Sequence, residues 1–467
     1  MFNWRKPLVL GMLYALRSPI PRELKLLRSI ERKSPEEITQ LQNQRLTVLL
    51  RHAWENTDYY RQILEDCGVV KDGRVDLDKF ESIPFLTKDI IRREGKLLKA
   101  KKLPKGRKPY PNSSGGSTGQ PVQFWQDSYY WDLNVATKIY HFEVLGKTLG
   151  ELELKIWGSA EDLFEGTIGL TTKVKNFFYN RKFQQCFHLP EKHVNQIINS
   201  INRFKPKIIW SYLDGVYVIS NYINKHRVGL HRPAAIFCGA STLYPHITQA
   251  IEKAFNAPVI NFYGSREVGD VACQCGKKKG LHIASLFNKI EVINKVGIPV
   301  IEEDGELVIT SLMNYAMPLI RYRIGDIGRL TQHKCPCGRG FPLLESVAGR
   351  VIDVFMNSNG DRIDSYFFIH LLGVVFNFDW LYKFQVIQED YARIKIKMIL
   401  ENGVAREQIQ YYLNEIKKKI RIVMGDDCEV IFDIVDEIPL TKSGKHLYTV
   451  CKLAERIPGD IGLYKRN

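Results

Sequence analysis

The sequence predicts an α/β protein in two parts: a large N-terminal domain of mixed, mainly parallel sheets flanked by helices, with a β-rich subdomain, and a small α+β domain after it. Three observations carry this. From Leu154 to Phe262 short apolar runs alternate with amphipathic stretches, the pattern of a parallel sheet covered on both faces. From Lys289 the texture changes to short apolar runs separated by turns. Beyond Gly349-Arg350 the remaining chain, about 115 residues of mixed strand and helix pattern, is long enough to fold separately. The domains are therefore read as residues 1–350 and 351–467.

In chain order, Pro7 to Leu16 is apolar but only about half of a bilayer span, and no small-residue cleavage site follows it, so neither an anchor nor a signal peptide is expected. Trp4, Leu8, Leu10, Leu13, Tyr14 and Leu16, interleaved with Arg5, Lys6 and Arg17, suit an interfacial helix on anionic lipid or a helix docked on the protein's own body. Pro35 to Cys67 reads as one helix, opened by the cap and acidic first turn of Ser34-Pro35-Glu36-Glu37. Thr87-Lys88-Asp89 caps a short helix that runs into a basic stretch, 91–108. Tyr129 to Leu145 reads as an aromatic-faced helix. Strands at 154–158, 207–210, 234–239 and 258–262 alternate with helices at 192–204, 214–226 and 244–255. Ligands of such sheets lie beyond the carboxyl ends of the strands, which places Gly158, Ser211-Tyr212, Gly239-Ala240 and Tyr263-Gly264-Ser265 along one edge. Short strands follow at 290–300, 305–310 and 329–332. After Arg350 come a strand, a helix at 363–373, strands near 382–388 and 392–400, an amphipathic helix at 405–422 and a strand at 428–434.

One stretch cannot pack a core: Asn112-Ser113-Ser114-Gly115-Gly116-Ser117-Thr118-Gly119-Gln120-Pro121. Its glycines let backbone N–H groups converge and its hydroxyls add donors, which suits a cradle for phosphate oxygens; the alternative is a flexible linker. No Gly-Lys-Ser/Thr follows, so this is not a Walker loop and the lysine must come from elsewhere. Lys plus Arg (67) exceed Asp plus Glu (51), and the net charge of +16 favours an anionic partner: a nucleotide, a nucleic acid or a lipid surface. Four of the nine cysteines group as Cys273-x-Cys275 and Cys335-x-Cys337, which argues for a cytosolic chain with one metal site rather than a disulfide framework.

Five patches now stand in one order: the Gly/Ser loop; Tyr263-Gly264-Ser265-Arg266-Glu267; Pro318-Leu319-Ile320-Arg321-Tyr322-Arg323-Ile324-Gly325-Asp326; Gly349-Arg350 with Asp353; and Pro439-Leu440-Thr441-Lys442-Ser443-Gly444-Lys445. From roughly Glu36 to Leu453 the chain resembles the adenylate-forming superfamily of acyl-CoA synthetases, in its phenylacetate-CoA ligase and CapK-like branch. The resemblance implies that a carboxylate attacks the α-phosphorus of ATP, pyrophosphate leaves, and a thiol such as CoA or an amine captures the acyl-adenylate.

It also implies roles. Ser113 to Gly119 would wrap the β- and γ-phosphates, with Ser114, Ser117 and Thr118 donating; many relatives have lysine where this chain has Gln120. Glu267 would hold Mg²⁺, Tyr263 would face the adenine of ATP or AMP, and Gly239-Ala240 would line it beside Gly264 and Ser265. Asp326 would accept from the ribose hydroxyls and Arg350 would hold the same sugar. Structural alternatives are a surface glutamate for Glu267, a turn residue for Asp326 and an ordinary salt bridge for Arg350. Lys445, carried by a mobile C-terminal domain, would reach the carboxylate and α-phosphate, with Lys442 a solvated decoy. Relatives pivot on two acidic residues where this chain has Ile352-Asp353, so Asp353 is the substitute pivot. The acyl pocket is expected from Trp157, Gly158, Tyr212, Leu213 and Gly239, whose aromatic character favours an aryl or short apolar acid, although each equally suits a core.

The cysteines Cys273, Cys275, Cys335 and Cys337 are expected to hold structural zinc, with His282 or His333 as substitute ligands; the alternative is buried thiols. The partners that follow are a small carboxylic acid and either CoA or an amine, including an amino sugar of a surface polysaccharide. An oligomer stays open, and the location is cytoplasmic or peripheral at the inner face of the membrane. A basic, zinc-containing nucleic-acid binder accounts for the charge and the cysteines but leaves five ordered motifs without a role.

Overall fold

The computed structural model describes residues 3–114, 122–157, 170–186, 189, 191–239, 243, 245–350, 355–359, 362–363, 367–368, 371–372, 380–401, 403–404, 406–439 and 446–453. The chain divides into two compact units, Met1–Ala348 and Gly349–Asn467.

The first unit opens with helices α1 (Arg5–Ala15), α2 (Ile20–Ile30), α3 (Pro35–Asn56), α4 (Asp58–Asp66) and α5 (Lys88–Leu98). Ser34 and Glu37 form the expected capping box at the start of α3. The single long helix expected through Cys67 is broken at Thr57, which takes extended backbone (φ −123°, ψ 136°) and caps α4 by accepting from the Tyr60 N–H at 3.2 Å. Strands β1 (Pro109–Ser113) and β2 (Gln123–Asp127) form an antiparallel hairpin with Ser113 opposite Gln123. The Gly/Ser loop is thus the tip of a hairpin, which its composition hides. Asp127 ends β2 and caps helix α6 (Ser128–Val144), accepting from Tyr129 and Tyr130 N–H groups at 2.9 and 3.0 Å.

An eleven-stranded sheet follows. Its strands in chain order are β3 (Glu153–Trp157), β4 (Arg181–Gln185), β5 (Ile208–Tyr212), β6 (Ala235–Gly239), β7 (Val259–Ser265), β8 (Gly269–Gln274), β9 (Leu281–Ile283), β10 (Asn288–Ile293), β11 (Gly305–Ser311), β12 (Tyr322–Thr331) and β13 (Leu343–Arg350). Across the sheet they run β10-β11-β12-β13-β9-β8-β7-β6-β5-β3-β4. Strands β4, β3, β5, β6 and β7 are parallel, as the alternation with helices requires, and helices α7 (Leu170–Tyr179), α8 (Glu191–Phe204), α9 (Leu213–His226) and α10 (Pro245–Phe255) connect them. Residues alternate between two cores. Ile209, Ile236 and Cys238 pack with helices α8 to α10, whereas Ile208, Trp210 and Phe237 pack under Phe142 of α6.

Between β7 and β8 the sheet turns antiparallel. The β-rich segment expected as a subdomain is therefore the other half of the same sheet. The strand expected at 290–300 is shorter, β10 ending at Ile293, because Asn294 turns the chain with its side chain accepting from Val296 and Ile298 N–H groups.

In the second unit, four strands run β16 (Glu429–Ile434), β15 (Arg393–Leu400), β14 (Leu381–Asp390) and β17 (Thr449–Cys451). Helix α11 (Arg406–Met424) buries Ile409, Leu413, Ile416 and Ile420, an i, i+4, i+7, i+11 stripe, and crosses between parallel β15 and β16. Most of the helix expected at 363–373 lies outside the described residues.

Candidate active site

The switch from parallel to antiparallel pairing falls on Tyr263-Gly264-Ser265-Arg266-Glu267, at the edge where β3, β5, β6 and β7 also end. A crevice at that edge is where an open α/β sheet takes a ligand. Two glycines permit the close approach. A Cβ on Gly264 would meet the Gly269 carbonyl oxygen at 2.5 Å, and one on Gly239 would meet the Phe262 carbonyl oxygen at 2.9 Å. Beyond the turn Gly269 has φ +75°, and Asn134 of α6 accepts from the Asp270 N–H at 2.9 Å. Ser265 closes the turn by accepting from the Val268 N–H at 3.4 Å.

Two residues that the resemblance assigns to one nucleoside lie together: the Tyr263 hydroxyl donates to Asp326 Oδ2 at 2.7 Å. Asp326 follows Gly325, whose φ of +87° bends β12 there. The rest of that motif is structural. Arg321, 3% exposed, pairs with Glu291 at 2.8 Å and donates to the carbonyls of Glu81 and Ile83, while Arg323 pairs with Glu306.

The hairpin is fastened to the same turn by a residue that sequence reasoning passed over. Gln126, buried, accepts from Asn112 Nδ2 at 2.8 Å and from the Tyr110 hydroxyl at 3.2 Å, and donates to the Arg266 carbonyl at 2.6 Å. The Tyr130 hydroxyl donates to that carbonyl at 3.1 Å. Nothing local in the sequence signals this tie, because the Arg266 carbonyl is 140 residues from Gln126. Glu267, 7% exposed, is held beside this bracket. Ser114 was expected as a phosphate donor, yet its Oγ accepts from the Val122 N–H at 2.9 Å, and its own N–H donates to the Val122 carbonyl at 2.9 Å. It clasps the two ends of the loop. The Ser113 N–H bonds to Asn112 Oδ1 at 2.8 Å. Gly115, Gly116, Ser117, Thr118, Gly119, Gly158, Ala240, Asp353, Lys442 and Lys445 lie outside the described residues, as does the Arg350 side chain.

At the ends of β3 and β5, Trp157 and Tyr212 stack with ring centroids 4.0 Å apart, and Trp157 lies 4.9 Å from Trp210. Two ammonium groups border these rings: Lys155 Nζ sits 4.0 Å from the Trp157 centroid and Lys138 Nζ 4.1 Å from that of Trp210. Lys138 also pairs with Asp270 at 3.4 Å; burial pushes that carboxyl up against the pull of the lysine. Leu213 does not line this edge: it is 1% exposed in the core under α9.

A second cluster lies near the far end of β8. The ligand atoms of Cys275, His282, Cys335 and Cys337 all lie within 4.8 Å of one another. Cys275 and Cys335 sulphurs are 3.6 Å apart and Cys337 Sγ is 3.3 Å from His282 Nε2, close to the edges of about 3.5–3.8 Å that a zinc tetrahedron requires. Burial, then the nearby Arg339, hold His282 down to about 4, so its imidazole is neutral near pH 7 and has a lone pair to give. The set fits zinc, with one correction. Cys273 is not part of it, because its side chain packs with Phe142, Trp210 and Phe237 and bonds to the Gln274 carbonyl at 3.3 Å; His282, opposite it on β9, takes the place. His333 is exposed and outside the group.

Residues 355–452 match the CapK C-terminal domain. Protein CapK of Staphylococcus aureus is 24% identical over 441 residues, 92% of this chain and 91% of that protein. The phenylacetate-coenzyme A ligase of Aromatoleum evansii is 27% identical over 354 residues, 73% of this chain and 76% of that enzyme. Among solved structures, 2-hydroxyisobutyryl-CoA ligase in the postadenylation state with R3-HIB-AMP aligns with a TM-score of 0.70 at 17% identity, covering 90% of this chain and 91% of that one.

Proposed function

We infer from its homology to CapK and the phenylacetate-coenzyme A ligases, and from its adenylate-forming ligase fold, that this chain is an AMP-forming ligase. The observation that carries the reading is the 2.7 Å contact of Tyr263 with Asp326, beside a hairpin that Gln126 ties to the same turn. The residues proposed for base and sugar, Tyr263 and Asp326, and the hairpin that would carry the phosphate loop come from three distant parts of the sequence.

A carboxylate oxygen attacks the α-phosphorus of ATP, the bond to the β-phosphate oxygen breaks, and pyrophosphate leaves. A thiolate then attacks the acyl carbonyl and AMP departs with the oxygen that the acid supplied. Both reactants of the first step are anions, so most of the barrier is charge and orientation. Asp326, oriented by the Tyr263 hydroxyl at its Oδ2, is the carboxylate suited to the ribose hydroxyls. The N–H groups of the loop 115–119, with Thr118, take the β- and γ-phosphates, and Glu267 is the carboxylate suited to Mg²⁺, which neutralises phosphate charge when bound. Lys445 approaches as charge concentrates on phosphorus, a contact that acts on the transition state more than on bound ATP. The aromatic floor of Trp157 and Tyr212 with Lys138 and Lys155 at its border suits a small carboxylic acid with a flat or apolar body. Cys275, His282, Cys335 and Cys337 hold structural zinc.

The proposed acceptor is coenzyme A, the thiol in the names of the phenylacetate-coenzyme A relatives; an amine, such as that of an amino sugar, is the alternative. No helix among the described residues is long and apolar enough to cross a membrane, and reduced thiols with an ATP-driven reaction suit the cytoplasm. A panel of carboxylic acids, each given with ATP, Mg²⁺ and [³²P]pyrophosphate, tests the reading. At least one acid drives label into ATP, and adding CoA or glucosamine then shows which one yields the acyl product. Label exchange that ignores the acid, or none from any aryl or short-chain acid, contradicts it.

A further inference from the structure

From Pro7 onward helix α1 is apolar on every side. Pro7 to Leu16 carries no charged or amide side chain, and a helix of that kind normally lies buried all round. Here only one face is covered. Val9 and Leu13 pack with Ile20, Leu24 and Tyr130, so Leu13 belongs to the protein's interior. The opposite stripe, Trp4, Leu8 and Met12 at successive helical turns, faces solvent, with Trp4 43% exposed, and Leu16 beyond it is 75% exposed.

Helix α7 continues the surface. Its Phe177, 57% exposed, meets Trp4 with ring centroids 6.4 Å apart, and Arg5 ties the helices by lying 4.5 Å from the Trp4 ring and donating to the Phe177 carbonyl at 3.3 Å. Val174 is exposed one turn earlier. Two elements far apart in sequence thus build one apolar, aromatic-rich face.

Its charge has one sign. Neither residues 1–22 nor 166–190 contain Asp or Glu, while Arg5, Lys6, Arg17, Lys173 and Lys175 lie along the two helices. Of the acids near them, Asp132 accepts from Ser18 at 3.2 Å, with burial pushing its carboxyl up, and buried Glu153 is paired with Lys147 and Arg181.

We propose that α1 and α7 form a docking surface for an anionic lipid bilayer. The aliphatic stripe enters the acyl boundary, Trp4, Tyr14 and Phe177 sit at headgroup depth, and the lysines and arginines meet the phosphates. A second copy of the chain is the poorer occupant, because pairing two such faces brings like cationic rims together. The surface goes beyond the ligase reading and does not depend on it.

Co-sedimentation of the full chain with vesicles tests it. Phosphatidylcholine vesicles containing about 30% phosphatidylglycerol bind the protein at least about tenfold more tightly than phosphatidylcholine alone, and high salt weakens the binding. The double variant Leu8→Glu/Met12→Glu, and separately Lys173→Glu/Lys175→Glu, each lose about tenfold or more with melting temperature and pyrophosphate exchange unchanged. Equal binding to both vesicle types, binding to neither, or variants that bind as the parent does would overturn the proposal. So would a concentration-dependent dimer that Leu8→Glu/Met12→Glu disperses, which assigns the face to a second copy.

Discussion

The Tyr263 hydroxyl orients the carboxylate of Asp326, the residue proposed to take the ribose. Tyr263→Phe removes that orienting bond, a loss of about 1 kcal/mol, so the KM for ATP rises roughly fivefold while the adenylation rate stays within about twofold. Asp326→Ala removes the sugar contact itself, and the rise in ATP KM exceeds that of Tyr263→Phe. Gln126→Leu removes one of the two side-chain bonds to the Arg266 carbonyl, leaving that from Tyr130, and unties the hairpin from the turn. Initial-rate kinetics with calorimetry on this variant show adenylation falling at least about tenfold beside a stability loss of about 1–3 kcal/mol. A variant that loses stability but keeps its rate reduces Gln126 to a core residue. The sequence pointed to Tyr263 and Asp326 through their motifs. It gave no sign of Gln126 or Asn134, whose partners at Arg266 and Asp270 become neighbours only once the sheet has formed.

Elements were readable where a pattern repeats. Parallel strands β3, β5, β6 and β7 and helices α8 to α10 announced themselves by alternation, helix α7 did not, and α11 stood out by its stripe of Ile409, Leu413, Ile416 and Ile420. Strand β4 and the short β9 were missed, because Arg-Lys-Phe-Gln-Gln and Leu-His-Ile show too little contrast to stand out. Thr57 went unnoticed as a helix break because a cap looks like any other threonine until its backbone is seen extended. The metal loop shows a similar limit. Spacing picked out four cysteines, but strand geometry sent Cys273 into the core and brought in His282. Stripping metal with a chelator lowers the melting temperature of the parent and leaves Cys337→Ser, already metal-poor, nearly unchanged; elemental analysis of the untreated protein gives about one zinc per chain. In the second unit His446 follows Lys445 directly. The ring is buried, its Nε2 sits 2.9 Å from the Phe384 carbonyl, and burial holds its pKa down to about 3. The unfolded chain therefore binds more protons than the folded one between about pH 6.5 and 3, so stability falls by up to about 1.4 kcal/mol per unit as pH drops through that window. Urea titrations of His446→Gln show a shallower acid slope than the parent; an identical slope denies the residue this part.

For the molecule as a whole, five patches distant in sequence make chemical sense only as one reaction. The first three lie in the larger unit, while Gly349-Arg350 with Asp353 opens the smaller one, which also carries the last, with Lys445. Lys445→Ala therefore leaves ATP affinity within about threefold and slows adenylation by at least about a hundredfold, yet still turns over a supplied acyl-adenylate with CoA or the amine. Near-normal pyrophosphate release from this variant removes the lysine from the chemistry. Central to the proposed reaction is the bond from the acid's own oxygen to the α-phosphorus. With the acid found in the exchange panel labelled with ¹⁸O in its carboxylate, mass spectrometry of the products reads the answer directly. One ¹⁸O per AMP, and none in pyrophosphate, is the predicted result; unlabelled AMP, or label in pyrophosphate or phosphate, would contradict it.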